Sequence, residues 1–390
     1  VLAGSAATAL ALAASPALAD AAPRVRRHVT LGRTGLRVCD IGFGSSRLGD
    51  DVALVHHALD RGIDYFDTAE GYTRGVSETT IGKALKGRRD QVTLVTKSKL
   101  EADMDRHRMM EKLEGSLRRL QTDHVDVHFN HAVNDVDRLA NPEWPEFTSR
   151  AKEQGKIRFV GMSGHGGLLI DCLRYAIEHD LVDVMLVAFN FGQDPAFYQD
   201  ILKRLDLIAI QPQLPQVLRE ARKKGIGVVA MKTLRGARHH DLTAYHENAT
   251  YAQAAFRWVL SHGSVDSLVV TMRSPAEVDE YLGASGWTRT AAADGRVLSR
   301  YESENAKLQC RYGCTACADA CPAGVEIPEV LRTRMYAEDY RDLELAREDY
   351  AKIGRNASPC LSCSGAPCAT ACPHGLPISE LTRRTGRRLA

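Results

Sequence analysis

The hydrophobic positions between residues 39 and 272 repeat one pattern. Short runs rich in Val, Ile and Phe alternate with longer stretches whose apolar residues recur every three or four positions, the spacing of an amphipathic helix. The longer stretches carry capping residues and Gly stops, as helices do. Eight short runs are predicted to be strands: CDIGFG (39–44), IDYFD (63–67), VTLVTK (92–97), VDVHFNH (125–131), IRFVGMS (157–163), VDVMLVAF (182–189), IGVVAMK (226–232) and DSLVVTM (266–272).

Eight strand and helix repeats predict an α/β chain with a (β/α)8 TIM barrel. The repeats occupy close to the ~250 residues typical of that fold. A doubly wound open sheet is the alternative, but it needs a GxGxxG turn after its first strand, and GFGSSRLGDD lacks that spacing. We therefore expect the barrel over residues 28–290, with the hairpin VTLGRTGLRV around Thr34 and Gly35 closing its floor.

Ionisable side chains stand where three consecutive predicted strands end. Asp67 ends the second strand and Tyr72 follows it, Lys97 ends the third and His131 ends the fourth. Each has a structural explanation alone, since Asp caps turns, Lys is usually solvated and a strand-end His is more often structural. The carboxyl ends of barrel strands meet at one mouth, however, so together the four side chains predict a catalytic site with a proton donor.

These residues stand in motifs that resemble the aldo/keto reductase family. The matching segments are DTAEGY with Ser77-Glu78 behind it, TK at the third strand and DHVDVHFNH at the fourth, and the resemblance covers residues about 28 to 285. It implies a catalytic tetrad that reduces the carbonyl of a small-molecule substrate or oxidises the matching alcohol. A phenol titrates near ~10, and a neighbouring ammonium lowers that pKa. Lys97 would therefore activate Tyr72 as the proton donor, Asp67 would hold Lys97, and His131 would bind the carbonyl oxygen.

The same resemblance implies an NADP(H) site. It places Ser163 and Asn190 near the nicotinamide. It also implies one set of residues that binds the pyrophosphate and another that binds the adenosine. The predicted pyrophosphate residues are Met231, Lys232, Thr233, Leu234, Arg235 and Gly236. The predicted adenosine residues are Arg273, Ser274 and Glu277. A guanidinium makes bidentate contacts to phosphate, so Arg273 favours NADP over NAD.

Eight of the ten cysteines fall in two runs that each end in Cys-Pro, CRYGCTACADACP (310–322) and CLSCSGAPCATACP (360–373). Both resemble the cysteine run of bacterial ferredoxins, in which the fourth cysteine ligates the other cluster. We expect two [4Fe-4S] clusters, with Cys321 and Cys372 exchanged in that way. Zinc and disulfides are the alternatives. The predicted ligands are Cys310, Cys314, Cys317, Cys321, Cys360, Cys363, Cys368 and Cys372.

The segment between the two cysteine runs has helical periodicity, VEIPEVLRTRMYAEDYRDLELAREDYAKIG. It predicts a mainly helical ferredoxin-like iron-sulfur domain over residues 295–390. Cys39 and Cys172 lie outside the runs and are expected to be buried apolar residues.

Residues 1–24 form an alanine-rich leader with Ala17-Leu18-Ala19 before Asp20, a pattern typical of an export signal. A disordered leader is the alternative. We expect export to the periplasm in the folded state, by the twin-arginine route, with the cytoplasm as the alternative location. No other stretch approaches the ~20 apolar residues of a transmembrane helix.

The balance of charged residues limits the kinds of molecule that the protein is expected to bind. Lys and Arg number 51 against 49 Asp and Glu, without a sustained basic run, which argues against nucleic acid. The four residues predicted at the barrel mouth and the eight cysteines make a carbonyl reductase with two clusters the favoured function, and an electron-transfer protein is a further candidate partner. The alternative is an iron-sulfur electron-transfer or redox-sensing protein on a barrel that no longer uses nicotinamide.

Overall fold

The computed structural model describes residues 22–166, 168–193, 213–235, 242–305, 310, 316–338 and 343–390. Three predictions fall partly or wholly outside these residues. They are the leader up to residue 21, Gly236 of the pyrophosphate group and Cys314 of the first cysteine run.

Eight parallel strands close into a barrel, which confirms the predicted TIM barrel fold. Each strand pairs with its neighbours in chain order, and the last strand pairs with the first of the set, Leu268 opposite Ile41. All five residues of the run VMLVA (184–188) are buried, because the helices cover one face and the barrel interior the other. The barrel strands are β3 (Ile41–Gly44), β4 (Tyr65–Asp67), β5 (Thr93–Ser98), β6 (Val125–Asn130), β7 (Ile157–Gly164), β8 (Val184–Ala188), β9 (Gly227–Met231) and β10 (Ser267–Thr271).

Nine helices surround the barrel within the described residues, and four of them begin at a polar side-chain cap that the sequence supplies. The side chain of Asp51 accepts a hydrogen bond from the Leu54 amide, and Thr250 forms a capping box with Gln253. These helices are α1 (Val52–Asp60), α2 (Val76–Ala84), α3 (Arg106–Leu120), α4 (Asp137–Ala140), α5 (Glu143–Glu153), α6 (Leu169–Glu178), α7 (Leu214–Lys223), α8 (Tyr251–Ser261) and α9 (Pro275–Leu282).

A hairpin of β1 (His28–Thr30) and β2 (Arg37–Cys39) lies at the amino end of the barrel strands, as predicted. The Arg33 amide donates to the carbonyl oxygen of Gly225 at 2.5 Å, just before β9 begins. Gly32 has φ +49°, and a Cβ there would stand 2.3 Å from the Gly227 nitrogen. Only glycine allows this approach, so the turn of the hairpin closes the floor.

Two hydrophobic clusters divide the described chain. Helix α10 (Ala292–Asn305) packs Val297, Leu298 and Tyr301 into the barrel cluster. A second cluster runs from Cys317 to Leu389. Its helices are α11 (Ala316–Asp319), α12 (Ile327–Glu338), α13 (Leu343–Ala351), α14 (Pro367–Ala371) and α15 (Ile378–Leu389).

Helix length and hydropathy bear on membrane insertion. No helix within the described ranges has both the length and the apolar character that a bilayer crossing requires.

Candidate active site

The fold brings the four predicted catalytic residues to one end of the barrel. Asp67 is the last residue of β4, Lys97 lies one residue before the end of β5, and His131 directly follows β6. Tyr72 begins a short 3₁₀ turn between β4 and α2. Because the three strands are neighbours and parallel, their carboxyl ends lie side by side.

Lys97 is the centre of this group. Its Nζ atom donates to Asp67 Oδ1 at 2.6 Å and to the Thr68 carbonyl oxygen at 2.7 Å. The Tyr72 hydroxyl lies 3.3 Å from the same nitrogen. These contacts match the three protons of an ammonium group, and the lysine side chain is fully buried.

The surroundings of Lys97 keep it charged. Burial alone lowers the pKa of a lysine, but Asp67 and Tyr72 raise the pKa of Lys97 above its ordinary value. Burial raises the pKa of Asp67, and the Lys97 ammonium opposes that rise. An ammonium is therefore held beside the Tyr72 hydroxyl.

His131 faces Tyr72 edge to face, with the ring centroids 5.7 Å apart. Burial lowers the pKa of His131 well below its usual range, and the nearby Lys97 and Arg138 lower it further. The imidazole is therefore neutral at neutral pH, and one ring nitrogen can donate a hydrogen bond without carrying a charge.

The turn that carries Tyr72 is strained and firmly held. Thr73 and Arg74 both have positive φ, 47° and 56°, which is costly for residues other than glycine. The Thr73 hydroxyl donates to the Leu48 carbonyl oxygen at 2.8 Å and accepts from the Ser77 amide at 3.0 Å. Glu78 is buried and accepts from Thr96 Oγ1 at 2.5 Å and from Arg119 Nε at 2.6 Å. The Ser77-Glu78 pair thus anchors the turn beside β5.

Arg138 supports the site, although sequence reasoning missed it. Its guanidinium is buried and donates to the backbone carbonyl oxygens of Leu100, His131 and Ala132 at 2.7, 2.9 and 3.0 Å. It thereby joins the loops after β5 and β6. Nothing in the local sequence separates this arginine from a solvated one, because its acceptors are carbonyl groups placed by the fold.

The two residues predicted near the nicotinamide also lie at this end of the barrel. Ser163 Oγ accepts from the Ala132 amide at 2.9 Å, beside His131. Asn190 Nδ2 donates to the Lys232 carbonyl oxygen at 3.1 Å, and Asn190 Oδ1 accepts from the Gly192 amide. Both side chains connect neighbouring loops of the mouth.

The predicted pyrophosphate residues follow β9. Lys232 and Arg235 have positive φ, 55° and 49°. The Thr233 hydroxyl is buried and has no hydrogen-bond partner within the described ranges. The Arg235 guanidinium makes a double contact to Glu302 of α10, at 2.6 and 2.7 Å, and both side chains are buried.

The predicted adenosine residues lie after β10. Ser274 caps α9, since its hydroxyl accepts from the Glu277 amide at 3.2 Å, and Pro275 is the first helical residue. Arg273 Nε donates to Glu277 Oε1 at 2.9 Å, while 41% of the Arg273 side chain remains exposed. The hydrogen bond to Glu277 raises the pKa of Arg273. This guanidinium is therefore paired but accessible.

The cysteine thiols outside and inside the two runs have different surroundings. Cys39 and Cys172 are fully buried in the barrel, as predicted. Burial raises the pKa of the Cys360 thiol, and its neighbours Cys321 and Cys363 raise it further. Burial raises the pKa of the Cys368 thiol, and the nearby thiols of Cys360, Cys321 and Cys363 raise it further. The Cys321 thiol of the first run is thus near enough to Cys360 and Cys368 of the second run to raise the pKa of both.

Two further observations bear on ligand sites. Within the described segments, no group of three or more His, Cys, Asp or Glu side chains is arranged to hold a single metal ion. A cavity of about 870 Å³ lies at the amino end of the barrel, lined by Arg89, His124 and Lys156. Lys156 pairs with Glu114 there at 2.6 Å, and none of the four predicted catalytic residues lines it.

Comparisons with known proteins identify related sequences. The family model described as "Aldo/keto reductase family" matches residues 40–291. L-galactose dehydrogenase of Arabidopsis thaliana is 27% identical over 298 residues, which cover 70% of this chain and 92% of that protein. Aldo-keto reductase YhdN of Bacillus subtilis is 32% identical over 166 residues, which cover 38% of this chain and 50% of that protein.

Solved structures share the fold. An aldo-keto reductase from Klebsiella pneumoniae, in complex with NADPH, superposes with a TM-score of 0.55 at 24% identity, over 72% of this chain and 95% of that chain. The aldo-keto reductase AKR11C1 from Bacillus halodurans, in its holo form, gives a TM-score of 0.53 at 22% identity, over 70% of this chain and 95% of that chain.

Proposed function

The chain belongs to the aldo/keto reductase family of oxidoreductases, and from that premise we propose that it reduces an aldehyde or ketone with NADPH through Asp67, Tyr72, Lys97 and His131. One observation carries the proposal. The buried Lys97 ammonium is within hydrogen-bond distance of both the Asp67 carboxylate and the Tyr72 hydroxyl.

Each residue of the tetrad has a distinct part. A substrate carbonyl oxygen accepts hydrogen bonds from Tyr72 and from neutral His131, which stabilise the negative charge that develops on it. Tyr72 passes its proton to that oxygen, and the Lys97 ammonium stabilises the phenolate left behind. Asp67 keeps Lys97 charged and fixes its position. A bound nicotinamide would supply the hydride.

Residues at the mouth fit a dinucleotide. The buried Thr233 hydroxyl has no partner within the described ranges, so it is available to a phosphate oxygen. The amino end of α9 and the accessible Arg273 guanidinium both favour an anion. The NADPH carried by the Klebsiella pneumoniae protein supports the choice of cofactor. Ser163, Asn190 and the residues from Met231 to Arg235 would hold the remainder.

The two cysteine runs are proposed to hold two [4Fe-4S] clusters. Thiolates ligate such clusters in fours, and Cys321 of the first run packs in the same hydrophobic cluster as Cys360 and Cys368 of the second. The exchange of the fourth cysteine between runs would leave Cys310, Cys314, Cys317 and Cys372 for the other cluster. The backbone carbonyls of Cys360 and Cys363 accept hydrogen bonds from Arg383, which holds their loop in place.

A second function has an observation in its favour. The guanidinium groups of Arg235 and Arg273 are already paired, with Glu302 and Glu277. A barrel whose arginines are neutralised in this way could serve an iron-sulfur electron-transfer or redox-sensing protein without nicotinamide. Fluorescence titration with NADPH separates the two functions, because only the reductase binds it.

The Tyr72→Phe variant tests the proposed reductase. Removal of the hydroxyl should lower kcat/KM for test aldehydes by about 10² or more, while the NADPH Kd stays nearly unchanged, because the proton is needed only in the transition state. Tyr65→Phe is the matched control, since the Tyr65 hydroxyl is buried in the barrel without a hydrogen-bond partner in the described chain. Equal turnover by Tyr72→Phe and the wild type would refute the role of Tyr72.

A further inference from the structure

The loop that carries His131 makes hydrogen bonds to the strands on both sides of β6. The His131 amide donates to the Ser98 carbonyl oxygen, at the end of β5, at 2.9 Å. On the other side, the Ala132 amide donates to Ser163 Oγ of β7 at 2.9 Å. The Val133 amide donates to the Ser163 carbonyl oxygen at 2.7 Å. The neighbouring strands thus accept from all three amides of this loop.

Arg138 is the donor to the carbonyl groups of the same loop within the described ranges. It lies in α4, seven positions after His131. Its Nη2 atom donates to the His131 carbonyl oxygen at 2.9 Å, and its Nη1 atom donates to the Ala132 carbonyl oxygen at 3.0 Å. The backbone groups of His131 and Ala132 are therefore all paired, and one guanidinium supplies both carbonyl bonds.

The same guanidinium also binds the end of β6 and the loop after β5. Its Nη2 atom donates to Asn130 Oδ1 at 2.8 Å, and its Nε atom donates to the Leu100 carbonyl oxygen at 2.7 Å. Arg138 is buried, and its ion pair with Glu101 spans 3.6 Å to a half-exposed carboxylate. Neutral oxygen atoms therefore take most of its hydrogen bonds. A planar fork of donors can serve several acceptors at once, which a single ammonium cannot do in the same geometry.

The backbone at Ala132 has a conformation that needs such support. Its φ is +53°, in the left-handed region that is costly for a residue with a Cβ atom. Residues persist there when the surrounding contacts over-determine them. Without the two carbonyl bonds from Arg138, the peptide group after His131 would be free to rotate toward an ordinary φ. The His131 ring, which faces Tyr72, would then shift with the loop.

We propose that Arg138 is a positioning residue for the reduction, because it holds the loop in which the His131 imidazole meets the substrate carbonyl oxygen beside Tyr72. The inference rests on the proposed reductase function. Arg138 acts through the backbone, since three of its four neutral acceptors are carbonyl oxygens. An apolar side chain of similar size would fill the same space but would supply no donor to these oxygens.

Arg89 provides a matched control at the opposite end of the same two strands. Its guanidinium donates to the carbonyl oxygens of Val92 at 3.0 Å and His124 at 3.2 Å, just before β5 and β6 begin. It also pairs with Asp126 of β6 at 2.9 Å, and only 16% of its side chain is exposed. Its removal takes similar hydrogen bonds from the barrel but leaves the carboxyl ends of the strands intact.

The test measures NADPH-dependent reduction of 4-nitrobenzaldehyde by the wild type, Arg138→Ala, Arg138→Lys and Arg89→Ala. Both Arg138 variants should lower kcat by about tenfold or more while the NADPH Kd stays nearly unchanged, because a displaced imidazole is no longer aligned with the carbonyl oxygen. Arg138→Lys keeps the charge but supplies one nitrogen in place of three. Arg89→Ala should keep kcat near the wild-type value.

Chemical rescue distinguishes positioning from a general loss of stability. Guanidinium chloride, at concentrations that leave the variants folded, should raise kcat of Arg138→Ala several-fold, and an equal concentration of sodium chloride should not. Guanidinium weakens folded proteins, so a variant that is merely destabilised would lose activity instead. Arg89→Ala should show no rescue.

A further measurement does not depend on turnover or on NADPH. Diethyl pyrocarbonate modifies neutral imidazoles, and peptide mass spectrometry can follow the rate at His131. That rate should rise several-fold in Arg138→Ala and Arg138→Lys, because the loop is released, and stay unchanged in Arg89→Ala.

The outcomes separate the two ideas. A wild type that reduces neither this nor other aldehydes removes the proposed reductase function; faster modification of His131 in the Arg138 variants then still supports the holding role, and an unchanged rate overturns it. An active wild type with an unchanged kcat in Arg138→Lys overturns the inference alone. A loss of kcat that Arg89→Ala shares, or that guanidinium does not reverse in Arg138→Ala, overturns it as well.

Discussion

At the scale of single residues, the Lys97 ammonium is the group that connects the other charged and polar side chains of the candidate site. A lysine buried without partners would lose its charge, because burial favours the neutral amine. Lys97 keeps its ammonium because Asp67 lies 2.6 Å away and the Thr68 carbonyl oxygen accepts a second hydrogen bond. The third contact is the Tyr72 hydroxyl, so the charge acts on the group that we propose as the proton donor.

Arg273 provides a residue-scale test of the dinucleotide. Its ion pair with Glu277 is partly exposed, and such pairs contribute only ~0 to 1 kcal/mol, so a 2′-phosphate can displace the carboxylate. Arg273→Ala should weaken NADPH by about tenfold, equivalent to ~1.4 kcal/mol, with little change for NADH. Fluorescence titration with both nucleotides measures the difference.

Arg222→Ala is the matched control for that titration. Arg222 pairs with Asp266 at 2.9 Å and has 36% of its side chain exposed, but Asp266 lies at the opposite end of β10. Its loss should leave both affinities unchanged. Equal losses for NADPH and NADH in Arg273→Ala, or none for either, would remove Arg273 from the site.

Helix α10 fixes the loop after β9 at the scale of elements. Glu302 of α10 is 1% exposed and accepts two hydrogen bonds from Arg235, while Val297, Leu298 and Tyr301 pack into the barrel cluster. The helix is therefore part of the hydrophobic core of the barrel, although it lies beyond residue 291, where the family match ends. It supports the backbone of the predicted pyrophosphate loop.

Glu302→Gln should lower the free energy of unfolding of the barrel by about 3 to 5 kcal/mol, because it leaves the Arg235 charge buried without a carboxylate. Urea unfolding followed by tryptophan fluorescence measures it, since Trp144, Trp258 and Trp287 all lie within the barrel part of the chain. Glu304→Gln is the control on the same helix, where the side chain is 52% exposed. Similar losses in both variants would show that the buried pair contributes little.

At the scale of the whole molecule, the C-terminal helices form a hydrophobic cluster of their own around cysteines. Cys317 and Cys368 are buried in it, and Cys310, Cys321 and Cys360 pack against it. A small helical region of this kind commonly needs a metal centre to be stable. We therefore expect the proposed clusters to stabilise the fold of this region, whether or not they transfer electrons.

Anaerobically purified protein should contain about eight irons and eight sulfides if two [4Fe-4S] clusters are bound. Cys363→Ser should lower both by about half, because one of the two clusters loses a ligand. Iron, sulfide and zinc analysis measures this. Cys172→Ala is the control, since Cys172 is fully buried in the barrel. Stoichiometric zinc without sulfide would contradict the clusters.

The sequence by itself was sufficient to predict the barrel and the end of the barrel at which the four predicted catalytic residues lie. Strand and helix periodicity are local properties, and they predicted all eight strands, whose observed bounds differ from the predicted ones by a few residues at most. The strand ends then placed Asp67, Lys97 and His131 together, because parallel strands of a closed barrel end on one side. The spacing of the cysteines is equally local, so both runs could be identified.

Only the tertiary structure decided which side chains meet across the chain. Arg235 and Glu302 are 67 residues apart, and Tyr336 and His165 are 171 residues apart. Neither pair leaves a periodic or spacing signal, because each contact arises from the packing of a helix against a barrel loop. The same holds for Arg138, whose acceptors are three backbone carbonyls and the side-chain oxygen of Asn130. The sequence therefore predicted which residues form the candidate site. The packing of α10 and α12 determined which side chains contact the barrel loops around it.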